Sequence, residues 1–144
     1  MKTILRSLSV TILITAAAGL VLAQIGSEYK PKFPGDPARS ETEAAAMGYM
    51  RVVVNAQKNY SHKHNGQYAT SLAALVGQGS FTRRLERTDR GDYTVRFHST
   101  GKAYSVALLP RQFDAAHRAF YLDESGEFRV EDTQPASKTS PELK

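Results

Sequence analysis

Residues 40–60 read SETEAAAMGYMRVVVNAQKNY, and the reading of this stretch decides the fold. Ser40 and Glu43 stand at capping-box spacing: the serine oxygen takes an orphan amide of a helix start, and the glutamate reaches back to the cap. Ala46, Tyr49, Met50, Val53, Ala56 and Tyr60 then recur at intervals of three and four, while Arg51, Asn55 and Lys58 fall on the opposite face. The β-branched run Val52-Val53-Val54 suits a strand, but the length of the periodic stretch and its cap outweigh it. A long helix is expected from Ser40 to between Tyr60 and Lys63, closed by the turn His64-Asn65-Gly66.

Downstream, Thr70 or Ser71 can cap a short second helix containing Leu72, Ala73, Ala74 and Leu75, stopped by Gly77 and Gly79. Beyond Arg90-Gly91 the period changes to two. Tyr93, Val95 and Phe97 alternate with Thr94, Arg96 and His98, then Tyr104, Val106 and Leu108 alternate with Ser105 and Ala107, with Ser99-Thr100-Gly101-Lys102 as a hairpin loop. Phe120 and Leu122, then Phe128 and Val130, flank the turn Asp123-Glu124-Ser125-Gly126. The expected fold class is α+β: a long N-terminal helix and a short second helix packed on a four-strand antiparallel meander over residues 40–130.

The flanks carry no apolar period. Residues 24–39 hold Pro31, Pro34, Gly35 and Pro37 and read as an extended Pro-rich linker. Residues 131–144 combine Pro135, Pro141, serines and charges, and read as a disordered tail. On this basis residues 40–130 are expected to fold alone, with Phe33 the one linker side chain large enough to dock on the domain.

At the start, Lys2 and Arg6 precede an apolar stretch from Leu8 to Ala23, which reads as a secretory signal peptide over residues 1–23, cleaved before Gln24. The alternative is an uncleaved single-pass anchor in the inner membrane, with the amino end in the cytoplasm and the domain outside. Either way the domain is exported, periplasmic or extracellular. The chain has 144 residues, 41% of them hydrophobic, no cysteine and a formal charge of +5. That length excludes two full-sized domains, the hydrophobic content excludes wholesale disorder, and the absence of cysteine excludes a disulfide-stapled scaffold. Without Lys2 and Arg6 the charge falls to +3, which is ordinary solubility and no nucleic-acid footprint.

Met50 to Tyr60, followed by Asn65-Gly66-Gln67-Tyr68-Ala69-Thr70-Ser71-Leu72-Ala73-Ala74-Leu75, resembles the start of the globular domain in type IV pilin-like proteins and type II secretion pseudopilins. Tyr104 to Pro110 and Phe120 to Arg129 are similar to the strands that follow there. The resemblance spans residues 41–130 and implies a pilin-head-like fold. It lacks the prepilin leader: neither Gly19 nor Gly26 is followed by a long apolar helix, and Glu28 lies in the Pro-rich linker. What it implies is therefore a head domain without the filament-forming half, and fold alone does not transfer function.

Candidate chemistry is sparse. His62 and His64, with His98 or His117 as a third ligand, are transition-metal candidates, but side chains two apart on a helix diverge and Lys63 between them repels a cation. Asp123, Glu124 and Glu127 are calcium candidates, as in some pseudopilin heads, but one turn cannot supply six to eight oxygens unless Asp114 or Asp132 folds back. Arg83, Arg84, Arg87 and Arg90 form a basic run interleaved with Glu86, Asp89 and Asp92. No catalytic constellation and no cofactor motif is read: Ser71, Ser80, Ser99 and Ser105 lack a nucleophile elbow.

The expected function is that of an exported, non-enzymatic, pilin-like domain working through contacts with an envelope or secretion-system protein. A minor pseudopilin held by its uncleaved segment is one alternative. A small envelope enzyme or ligand carrier built on His62, His64 and tyrosines is the other. Nucleic acid is not an expected partner, and a membrane is one only if the N-terminal segment stays uncleaved.

Overall fold

Helix α1 runs Glu41–Lys63 in a computed structural model that describes residues 29–144. The expected signal segment 1–23 and the first residues of the linker lie outside the described residues. Ser40 caps α1 from an extended backbone, its Oγ accepting from Glu43 N at 3.1 Å. The glutamate side of the capping box is used differently from the expectation. Glu43 accepts from the backbone N–H of Arg39, one residue before the cap, and spends the rest of its carboxylate on Arg118. At the other end Asn65 and Gly66 take left-handed φ of 52° and 83°, and Gly66 N donates to Ser61 O at 2.9 Å, which closes the helix.

Buried along α1 are Glu43, Ala46, Met47, Tyr49, Met50, Val53, Val54, Ala56 and Gln57. The buried face is wider than the apolar stripe of the sequence and contains two polar side chains. Gln57 is fully buried, and its amide pairs with both backbone groups of Ala69, donating to the carbonyl at 3.1 Å and accepting from the N–H at 2.8 Å. It thereby holds the 67–72 segment under the helix.

The expected fold class needs correction in two places. First, no second α-helix forms at Leu72 to Leu75: Ala73–Leu75 make a single 3-10 turn, and the chain is extended again at Val76. Gly77 and Gly79 at positive φ follow too closely for another turn, and the buried Leu72 and Leu75 pin the segment to the core. A further 3-10 turn spans Arg83–Glu86. Second, the antiparallel sheet has five strands, β1 Asp89–Arg90, β2 Tyr93–Ser99, β3 Tyr104–Pro110, β4 Ala119–Asp123 and β5 Arg129–Glu131, in the order β1-β2-β3-β4-β5. The added β1 arises because Gly91, at φ 69°, turns the chain back so that Arg90 faces Tyr93. Arg111 clamps that hairpin from outside, with Nη2 2.9 Å from Asp89 Oδ1 and Nε 2.6 Å from Gly91 O. A polar strand of two residues carries no alternation for a periodic reading to find.

One face of the sheet packs on α1. Tyr93, Val95, Tyr104, Val106, Leu108, Phe120 and Leu122 from β2, β3 and β4 join Met47, Met50 and Val53 in one core. The opposite face carries Thr94, Arg96 and His98 in β2 and half-buried Ala107, Leu109 and Tyr121 in β3 and β4.

Both flanks depart from the sequence reading. Within the described residues of the linker, Asp36 gathers the Tyr29 hydroxyl and the N–H groups of Lys32 and Ala38, Ala38 is buried, and Pro37 O accepts from Arg118 Nη2 at 2.7 Å. Phe33 is the part that does not dock, at 48% exposed. The expected disordered tail instead lies along β5: Val130 N donates to Pro141 O, Leu143 N donates to Phe128 O, and Arg129 bridges Glu142 in antiparallel fashion. Ser140 Oγ donates to Glu131 at 2.8 Å, and Ala136 is buried beneath. The tail covers a sheet edge that is too polar to advertise it by periodicity.

Two outcomes follow from this packing. Glu43→Ala is expected to lower stability by ~3–5 kcal/mol, since it leaves the buried Arg118 unpaired, while Glu43→Met combined with Arg118→Met recovers most of the loss. Urea unfolding of the single variant at the wild-type midpoint would refute the role given to the pair. A chain ending at Asp132 is expected to melt several degrees lower and to self-associate through the bared β5 edge. Calorimetry and light scattering indistinguishable from the full chain would show that the tail contributes nothing.

Candidate functional site

The acidic turn weighed for calcium does not gather its oxygens. Asp123 is buried, with Oδ1 accepting from Ser125 N at 3.0 Å, while Glu127 is drawn away to Arg129 Nη2 at 2.6 Å, leaving Glu124 alone on the exposed side. Asp114 and Asp132, the residues that had to fold back, are engaged by His117 and Arg39. The histidines are dispersed: His62 is exposed at the end of α1, His64 lies tilted against Tyr60 with ring centres 3.8 Å apart, and His98 stands on the outer face of the sheet. His117 has Nδ1 2.8 Å from Asp114 Oδ1 and Nε2 3.5 Å from Asp92 Oδ2, so both ring nitrogens face carboxylates. Among the described residues no three or more His, Cys, Asp or Glu side chains converge as a metal site would require.

The basic run is also divided by the fold. Arg83, Arg84 and Arg87 are exposed, whereas Arg90 lies 4.3 Å from the centre of the Tyr49 ring. Its interleaved acids go elsewhere, Asp89 to Arg111 and Asp92 to His117. Burial pushes the Tyr49 hydroxyl up to about 12, against the opposing pull of Arg90.

The feature with uncommitted chemistry is a groove of about 270 Å³ between α1 and the β4–β5 turn. Arg51, Asn55 and Lys58 form one wall, spaced four and three residues apart and therefore stacked along one helix face. Half-buried Phe128 makes the far wall, the edge of Val54 closes the bottom above the fully buried Leu122, and Gly126, at φ 80°, turns the chain so that Phe128 comes back over the helix. The Arg51 guanidinium lies 5.4 Å from the centre of the Phe128 ring, a cation–π contact that holds its long side chain in place.

Arg51, Asn55 and Lys58 are all exposed, and among the described residues no carboxylate lies within ion-pair distance of either cation. The nearby acids are engaged: Glu127 with Arg129, and Asp36 with Tyr29 and two backbone N–H groups. The hydroxyl of Tyr29, then the Lys32 N–H, hold the Asp36 carboxyl below its ordinary value, and Arg51 adds a weaker attraction. The groove lining holds two cations and no carboxylate, so it presents net positive charge beside the half-buried Phe128. Sequence reasoning placed Arg51, Asn55 and Lys58 together on a solvent face but had no means of finding the wall that Leu122, Gly126 and Phe128 bring to them.

Set against protein-family models, curated proteins and solved structures, the chain matches none.

Four aspartates are shifted downward in the fold. Asp36, Asp89 and Asp114 are held below the ordinary 3.8 chiefly by hydrogen bonds, from Tyr29, from Arg111, and from the Ala116 N–H with His117. At Asp123 burial raises the value but hydrogen bonds from Ser125 outweigh it, so it too is lowered. The unfolded chain thus takes up protons before the folded one does, and the associated stability is complete above about pH 5. Urea midpoints are expected to fall as the pH drops through 3.8 and on through the lower folded values, and Asp89→Asn is expected to flatten that slope. A midpoint independent of pH across this window would contradict it.

Proposed function

We propose that this chain is an exported, non-enzymatic domain that works through protein–protein contacts at the cell envelope, periplasmic or extracellular, with the α1 groove as its contact surface. The observation that carries the reading is the pair of cations without a carboxylate partner, Arg51 and Lys58, set beside the apolar surface of half-buried Phe128 and the edge of Val54. A surface of this kind gains from covering its apolar part and from meeting opposite charge. The non-enzymatic part draws support from how the titratable groups are used: His117, Asp114, Asp92, Asp89 and Glu127 are engaged with one another or with arginines. Export draws on Lys2, Arg6 and the apolar stretch from Leu8 to Ala23, and the pilin-like character on the similarity of Met50–Tyr60 and Asn65–Leu75. No helix among the described residues is long and apolar enough to cross a membrane. An anchored form would use the segment 8–23 and present the same groove outside.

The test is cross-linking in intact cells. A photoreactive amino acid in place of Asn55, in the middle of the groove, is expected to give a discrete protein adduct in the envelope fraction, whereas the same group at exposed Arg83 gives none. Mass spectrometry of the native amino terminus, done in parallel, is expected to find Gln24. A cytoplasmic chain retaining Met1, or the absence of any adduct from Asn55, would sink the proposal.

A further inference from the structure

We infer that the α1 groove takes an acidic, extended segment of a partner protein, one carrying two carboxylates about 10 Å apart on either side of an aliphatic or aromatic side chain. The inference rests on the reading of this groove as a contact surface and adds the chemistry that would fill it.

Three features define the occupant. Arg51 and Lys58 are seven residues apart on α1, which at 1.5 Å per residue places them about 10 Å apart along the axis. A peptide in the extended polyproline II conformation advances about 3.1 Å per residue with three residues per turn, so acidic residues at its first and fourth positions lie on one side about 9 Å apart and match that separation. Between the cations, Asn55 offers both an amide N–H donor and a carbonyl acceptor to a peptide backbone, while half-buried Phe128, with the edge of Val54, offers an apolar seat for the side chain between the two acids. The contact of Arg51 with Phe128 already restricts the arginine, so less side-chain freedom is lost when a carboxylate arrives.

A lipid surface fits less well. Membrane association of a cationic face relies on apolar side chains that protrude into the bilayer. Here the apolar residues are recessed behind Arg51 and Lys58, and the exposed large hydrophobic among the described residues is Phe33, which does not line the groove.

Binding of the full chain to three fluorescent peptides, each blocked at both ends, separates the possibilities. Glu-Leu-Phe-Glu-Gly is expected to bind at least about tenfold more tightly than either Lys-Leu-Phe-Lys-Gly or Glu-Gly-Ser-Glu-Gly, and to weaken about tenfold when salt is raised to about 0.5 M. Arg51→Glu with Lys58→Glu is expected to abolish that binding in a chain that still melts cooperatively, since both side chains are exposed, and to shift preference to the lysine peptide. Equal binding of acidic and basic peptides, no binding of the acidic one, or capture of phosphatidylglycerol vesicles in its place would each overturn the inference. The Asn55 cross-link separates the two levels. An adduct in cells with no acidic-peptide binding leaves the contact surface standing and removes its assigned chemistry, and the loss of both removes the surface itself.

Discussion

The carboxylate of Glu43 is the junction on which the arrangement of segments depends. It stands in the first turn of α1, fully buried, and binds Arg118 from the far end of the chain, 75 residues away. The same arginine reaches Pro37 O, and the same carboxylate accepts from Arg39 N, so helix, linker and the approach to β4 meet at one ion pair. Both oxygens of the carboxylate accept, and the arginine donates from its backbone N–H, Nε and Nη2. Burying the pair brings desolvation that an apolar replacement would avoid, and its return is in geometry: it fixes where β4 begins relative to the helix.

Edge protection is the second organising constraint. The antiparallel sheet has a two-residue β1 at one side and a three-residue β5 at the other, and each is reinforced by an arginine. Arg111 ties Asp89 and Gly91 at the first edge, and Arg129 reaches Ser140 and Glu127 at the second. The segment 141–143 then covers β5. Short, charged and covered edges leave few unpaired backbone groups for another sheet to add to.

What the sequence made legible follows the physics of each signal. The start of α1 could be read because a cap is local: Ser40 and the residues that need its oxygen are neighbours in the chain. Where Glu43 would spend its carboxylate could not, since its partner Arg118 is distant. Ala73–Leu75 looked helical from their neighbours' capping potential, yet two left-handed glycines left room for one turn. The tail and β1 escaped for a shared reason: both are held by backbone pairing with polar side chains, and backbone pairing leaves no mark on hydrophobic periodicity. Of the groove, Arg51, Asn55 and Lys58 were visible as a helix face. Leu122 was read as a core strand residue and Phe128 as its neighbour, and that they would wall a surface depression was a tertiary fact.

Gln57 shows how a polar residue can be as narrowly specified as any core leucine. Its amide presents one donor and one acceptor to Ala69 in the manner of a peptide unit from an adjacent strand, so the helix in effect lends the 67–72 segment a substitute for a missing strand neighbour. That substitution is a matter of reach. An asparagine has the same amide on a stem one methylene shorter and would stop short of both backbone groups, while a glutamate of equal length has no N–H for the carbonyl. The position therefore admits one side chain by length and by chemistry together, and drift in this protein would be felt there as sharply as at Val53.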